Sequence, residues 1–217
     1  MLNIGVLVSG GGSNLQAIID SIESKKLDAA IKVVISNKTD AYALERSRKH
    51  GIPSVVIPGE RFTSREDFDA EAVRVLKEHG VELVVLAGFL RLLTPVMIRE
   101  FRLRIMNIHP SLLPAFTGLH VQEKAIEYGV RFSGCTVHFV DEGLDTGPII
   151  IQAVVPVLES DTAETLAKRI LAEEHRIYPQ AIRLYSEGRL AVSGRKVTVK
   201  DCPAIEGRLE NPPVTIS

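Results

Sequence analysis

Cysteine is nearly missing: Cys135 and Cys202 are the only two in 217 residues, they stand far apart, and neither belongs to a Cys-x-x-Cys pair. That argues against a disulfide framework and against a zinc site. Charge of one sign is missing too. With a net charge of −1 there is no bulk basic field to recruit nucleic acid and no acidic tail, so a small-molecule partner is favoured. No apolar run approaches the roughly 18 residues that a membrane helix requires. The first residues pass straight into a strand-like run, Asn3–Val8, without the basic region and cleavage site of a signal peptide. The expectation is a protein of the reducing cytoplasm that binds neither membrane nor nucleic acid, as a monomer or homodimer. Internal repeats and low-complexity linkers are also lacking.

What is there is ordinary in amount and informative in order. Hydrophobic residues at 45% and charged ones at 24% suit a globular chain with a full core. Residues 1–190 are expected to form one α/β domain, and 191–217 an edge strand and tail. Short β-branched runs alternate with amphipathic helical patterns, the signature of an open, mostly parallel twisted sheet with helices on both faces and a Rossmann-like N-terminal half. Strands are expected at Asn3–Val8, Ile31–Ser36, Ser54–Ile57, Leu83–Leu86 and Arg104–Ile108. Leu15, Ile18, Ile19 and Ile22 form one helical stripe; Phe68, Ala72, Val75, Leu76 and His79 form another, with Thr63 and Glu66 as a capping box. Further on come a helix at Val121–Tyr128 and strands at Ser133–Val140 and Ile149–Pro156. The link Asp141–Pro148 is too short for a crossover helix, so these two strands should pair antiparallel. Asp161 or Thr162 can cap a long helix reaching about Tyr185. Ala191–Val199 could add an edge strand, and Asn211-Pro-Pro213 looks like a frayed tail.

The chemistry is expected in Ile105–Pro114, which reads Ile-Met-Asn-Ile-His-Pro-Ser-Leu-Leu-Pro. A strand alternates faces with period two, so Asn107 and His109 leave the sheet on the same side, and Pro110 stops the strand. The pair joins a neutral hydrogen-bond donor to a group that moves protons near neutral pH. Asp145, in the loop Asp141-Glu-Gly-Leu-Asp-Thr-Gly-Pro148, is the candidate charge partner. The plainer alternatives are a histidine that ties down a loop and an aspartate in an ordinary turn.

Ser9-Gly-Gly-Gly-Ser-Asn14 joins the first strand to the first helix, where free amide groups and the positive helix end suit an anion. Ser13 with Gln16 also fits a plain capping box. A dinucleotide is disfavoured, because Leu15 stands where the third glycine of G-x-G-x-x-G would fall and Ser36-Asn37 ends the second strand in place of an acidic residue. There is no Gly-Lys-Ser/Thr, so a P-loop is excluded and a lone phosphate, as in a sugar phosphate, is the natural occupant. His50 and His79, before glycines at helix ends, read as structural. His120, His138 and His175 stay undecided, and Arg65, near a helix start, reads first as an exposed surface residue. Gly88-Phe-Leu-Arg-Leu-Leu93 follows the fourth strand, either as a core strand entering a helix or as part of a ligand edge.

Taken jointly, Ser9-Gly-Gly-Gly-Ser-Asn-Leu-Gln16, Leu86-Ala-Gly-Phe-Leu-Arg91, Asn107-Ile-His-Pro-Ser-Leu-Leu-Pro114, Gly118-Leu-His120 and Leu144-Asp-Thr-Gly-Pro148 closely resemble the folate-dependent phosphoribosylglycinamide formyltransferases of purine biosynthesis. The resemblance runs from Met1 to about Leu190. It implies formyl transfer from 10-formyltetrahydrofolate, as co-substrate and without a metal, to the glycinamide amine of a ribonucleotide. It further implies a catalytic trio of Asn107, His109 and Asp145, a phosphate loop of Gly12, Ser13 and Asn14, and a nucleotide contact at Glu174. Folate contacts fall on Arg65, Leu90, Arg91, Leu92, Leu93 and Asn107, and on the loop Asp141, Glu142, Gly143, Leu144 and Asp145. Thr117 replaces the proline usual before Gly-Leu-His, and Asp141-Glu-Gly143 differs in detail from the usual acidic loop.

The chemistry read from the residues agrees. An amine attacking a formyl carbon develops an oxyanion, which Asn107 and a protonated His109 can meet with donors while Asp145 holds the imidazolium. Formyltetrahydrofolate hydrolases and the formyltransferase acting on initiator methionyl-tRNA share the Asn-x-His and the distant Asp. They carry an extra domain, N-terminal in the first and C-terminal in the second, which the span of this chain leads us not to expect. A sugar-phosphate sensor without catalysis is the remaining alternative.

Overall fold

Alternation along the central strands decides the layers. In the computed structural model, which describes residues 1–203, 207, 209 and 211, the first strand β1 (Leu2–Val8) turns Ile4, Val6 and Val8 into one hydrophobic core and Leu7 into another. There follow α1 (Ser13–Glu23), β2 (Ala29–Ser36), α2 (Tyr42–Lys49), β3 (Ser54–Val56), a short 3-10 turn at Gly59–Arg61, α3 (Arg65–Glu78), β4 (Leu83–Leu86), α4 (Pro95–Glu100) and β5 (Ile105–His109). The second half contains α5 (Val121–Tyr128), β6 (Phe132–Phe139), β7 (Ile149–Pro156), α6 (Ala163–Ser186), β8 (Leu190–Ser193) and β9 (Lys196–Val199). Leu15, Ile18 and Ile19 of α1, Ala125 of α5 and the apolar stripe of α6 fill the first core. Phe68, Ala72, Val75 and Leu76 of α3, with Met97 and Ile98 of α4, fill the second, on the opposite face.

Among the described residues nine strands form one sheet in the order β3-β2-β1-β4-β5-β6-β7-β9-β8. The first five are parallel; β6 pairs antiparallel with both β5 and β7. The chain runs outward from β1 to β3, then crosses back to lay β4 on the other side of β1. Connections leaving β1 and β4 therefore part in opposite directions and open a crevice at their carboxyl ends. Tyr178 of α6 is fully buried and sets its hydroxyl 2.9 Å from the carbonyls of both Leu86 and Met106, which pins the long helix against the end of β4 and the first residues of β5.

Several expectations are corrected or narrowed locally. The 191–199 stretch forms a hairpin, because Gly194-Arg195 makes a two-residue turn between two short alternating runs. The cap of α3 is Ser64, which accepts from the Asp67 amide at 3.0 Å, one residue later than Thr63 with Glu66. Both pairs fit the motif, and the helix takes the one that starts it at Arg65. At α6 the cap is Thr162, in a reciprocal box with Thr165, while Asp161 binds Arg169 through both carboxylate oxygens. Of the expected frayed tail, Asn211 donates to the Arg131 and Val157 carbonyls, and Pro212 and Pro213 lie outside the described residues.

Candidate active site

The loop after β1 is shaped by what holds its carbonyls. Gly10 accepts from the Ala43 amide at 3.1 Å, Gly11 from Arg46 Nε at 2.8 Å and Gly12 from the Gln16 amide at 3.0 Å. With those oxygens turned into the protein, the amides of Gly11, Gly12, Ser13 and Asn14 have no acceptor among the described residues. Gly12, at the N-cap of α1, has φ +68°, a left-handed conformation, and a side chain there would overlap Ala43. The plain capping alternative is not what forms: no side chain caps α1, and Gln16 turns to Asp20, His50 and Arg46. Free amides at a helix start are an anion site. Asn14 then reaches across to α6, donating to Glu174 Oε2 at 2.7 Å. Burial pushes the Glu174 carboxyl up despite this bond, and Asn14 Oδ1 is left buried and without a partner among the described residues.

At the end of β5, Asn107 and His109 leave the sheet on one side, and β5 ends at His109 with Pro110 next. His109 is buried. Its Nδ1 lies 3.5 Å from Asp145 Oδ2, and its Nε2 lies 2.8 Å from the carbonyl of Phe116. Both ring nitrogens face oxygen atoms, the nearer being the Phe116 carbonyl. Asp145 Oδ2 also accepts from the Gly118 amide at 2.9 Å, so the carboxylate joins the 116–118 turn to the histidine.

His138, undecided by sequence, is drawn in by strand register, since β5 and β6 place it opposite Asn107. Its Nδ1 lies 2.8 Å from the Phe139 carbonyl, which can only accept, so that nitrogen carries the hydrogen. Nε2 is therefore an acceptor, and it stands 3.2 Å from Asn107 Nδ2. Burial holds the ring below the ordinary imidazole range, outweighing the nearby Asp145 carboxylate. A neutral His138 thus uses one amide hydrogen of Asn107 and fixes where the other points.

The segment after β4 comes to the same edge. Ser9 accepts from the Leu90 amide at 2.9 Å and donates to Asn37 at 2.6 Å, tying the 88–94 segment to the glycine loop. Leu90 and Leu92 are exposed, and Arg91 lies over the Phe68 ring. In the 141–145 loop, Asp141 accepts from the Gly143 amide and from Thr146, Glu142 stands 4.0 Å from Arg99, and Leu144 is exposed beside Gly118. Arg65, exposed at the start of α3, makes no hydrogen bond or ion pair to these groups among the described residues. His50 and His79 sit at helix C-termini as expected. His120 is exposed near Glu123, and His175 lines a cavity of about 840 Å³ between α1 and α6 that reaches Ser13 of the glycine loop.

Residues 2–182 match the formyl transferase family. The chain belongs to that family. It is 44% identical over 189 residues to the phosphoribosylglycinamide formyltransferase of Escherichia coli K12, covering 87% of this chain and 89% of that one. Its fold matches the crystal structure of glycinamide ribonucleotide transformylase 1 from Symbiobacterium toebii with a TM-score of 0.91 and 54% identity, over 93% and 95% of the two chains. It is also 53% identical over 189 residues to the trifunctional purine biosynthetic protein adenosine-3 of Drosophila pseudoobscura pseudoobscura, where the match covers 86% of this chain but only 14% of that protein's length. The crevice beside β1 and β4 brings together a loop of free amides, an imidazole facing a carboxylate, and exposed leucines on two flanking segments.

Proposed function

We propose that the chain transfers the formyl group of 10-formyltetrahydrofolate to the amine of N1-(5-phospho-β-D-ribosyl)glycinamide, a step of purine biosynthesis. The observation that carries the reading is the His109–Asp145 contact beside an oriented Asn107, at the same carboxyl edge of the sheet as the anion loop and the 88–94 segment. The Gly12, Ser13 and Asn14 amides hold the phosphate, and Glu174, beside Asn14, contacts the rest of the nucleotide. Leu90, Arg91, Leu92 and Leu93, with Arg65 and the loop Asp141–Asp145, receive the reduced folate, which supplies the activated formyl group.

The amine attacks the formyl carbon directly. The free Asn107 amide hydrogen and the Nε2–H of protonated His109 meet the oxyanion as it develops. Asp145 keeps the imidazolium oriented from Nδ1. As the carbon–nitrogen bond to the folate breaks, the proton lost by the amine passes to the leaving nitrogen, carried by His109 or by a water it orients. The Phe116 carbonyl now takes the Nε2–H that the oxyanion needs, so the 116–118 turn gives way when the reactants bind.

His109→Ala and Asp145→Ala should each lower turnover by about two orders of magnitude or more, while calorimetry shows nucleotide binding retained. Normal turnover in both variants would end the reading.

A further inference from the structure

The chemistry above leaves one buried carboxylate unused. Asp69, in α3, is 2% exposed. Its Oδ2 accepts from the Thr94 amide at 2.6 Å and from the Thr94 hydroxyl at 2.8 Å. Thr94 is the N-cap of α4, yet its own side chain caps nothing there, because the hydroxyl is turned to Asp69. Burial pushes the Asp69 carboxyl up against the pull of both Thr94 donors and of Arg91. A carboxyl group is thus kept inside the protein where a local serine or threonine cap would cost less.

The preceding residue grips the same segment further back. The Phe68 ring stacks on Phe89, centroids 6.3 Å apart at 25°, and carries the Arg91 guanidinium 4.2 Å above its face. Gly59 also stands against Arg91, where even a methyl group would overlap the guanidinium. Two consecutive side chains of α3 therefore hold Phe89, Arg91 and Thr94. The residues between, Leu90 and Leu92, alternate outward and are 65% and 54% exposed. Ordinary loops do not fix leucines in water with a buried carboxyl, an aromatic stack and a cation over its ring.

We propose that Asp69 and Phe68 are positioning residues for the co-substrate: from α3 they fix the 88–94 segment in the shape that offers Leu90 and Leu92 to the apolar body of the reduced folate. This rests on the reading of that segment as folate surface. Gly59 completes the device by leaving room for Arg91.

The test is steady-state kinetics of the full chain carrying Asp69→Ala, Asp69→Asn or Gly59→Ala, with the thermal midpoint of each. Asp69→Ala should raise KM for 10-formyltetrahydrofolate about tenfold, with nucleotide KM and kcat at saturating folate changed about twofold or less. Asp69→Asn, which keeps an acceptor for Thr94, should recover most of that loss. Gly59→Ala leaves the Thr94 contact intact and should raise the same KM, so the inference stays testable if Asp69→Ala does not fold. A lowered thermal midpoint with folate KM unmoved, or a parallel loss in both KM values, would overturn it. Leu90→Ser with Leu92→Ser separates the premises. If that double variant raises folate KM and the α3 and Gly59 variants do not, the positioning inference alone fails; if it does not, the segment is not folate surface.

Discussion

Asn107 can serve as an oriented donor only while His138 is an acceptor, and His138 stays an acceptor because burial outweighs the attraction of Asp145. Removing the partner should release the amide: His138→Ala is expected to lower kcat about tenfold with nucleotide affinity retained, and an unchanged kcat would show that Asn107 needs no guide. The same burial has a pH signature. Between the lowered native value and the ordinary imidazole value near 6.5, the unfolded chain binds a proton that the native ring refuses. Stability contributed by the neutral ring is therefore present above that range and is lost as pH falls through it. Urea unfolding at about pH 7.5 and about pH 5.5 should show a smaller loss for His138→Gln than for the unaltered chain; equal losses would contradict the assignment.

At the scale of elements, the glycine loop is a device made by α2. Ala43 and Arg46 take two of its carbonyls, and Ala43 presses against Gly12. Gly12→Val combines a disfavoured left-handed backbone with a clash, and should weaken nucleotide binding about a hundredfold with less effect on the chemical step. Calorimetry reads the first and single-turnover rates the second; unaltered affinity would remove the loop from the phosphate site. These elements also show what a sequence can tell. Strand β4, helix α5 and strand β7 have the expected bounds, because the two strands are short apolar, β-branched runs, the helix follows helical spacing, and glycine or proline stands near an end. The α3 cap slipped by one because Thr63–Glu66 and Ser64–Asp67 are equally good motifs. The last hairpin was hidden since Gly194 and Arg195 interrupt what otherwise reads as one run. Asn107, His109 and Asp145 stood out by residue type and position. His138 did not, because its importance comes from the Asn107–His138 register between strands, and no local pattern carries a register. Asp69 was hidden for a similar reason, as its partner Thr94 lies 25 residues away.

For the molecule as a whole, the order of β1 and β4 does most to place the chemistry. Leaving the sheet at adjacent ends, the two strands send the anion loop one way and the 88–94 segment the other, with Ser9 as the bridge between them. β5, next to β4, sets His109 at the same edge, and β6 brings the turn that returns Asp145. Such an arrangement serves two reactants held at once. The most direct test is a spectroscopic turnover assay with 10-formyltetrahydrofolate and the glycinamide ribonucleotide together, then with each alone. Tetrahydrofolate should form at an appreciable rate only when both are present, in step with the formylated nucleotide. Equal release from the folate alone would make the protein a hydrolase, and no release in any mixture would leave it a binding protein without catalysis.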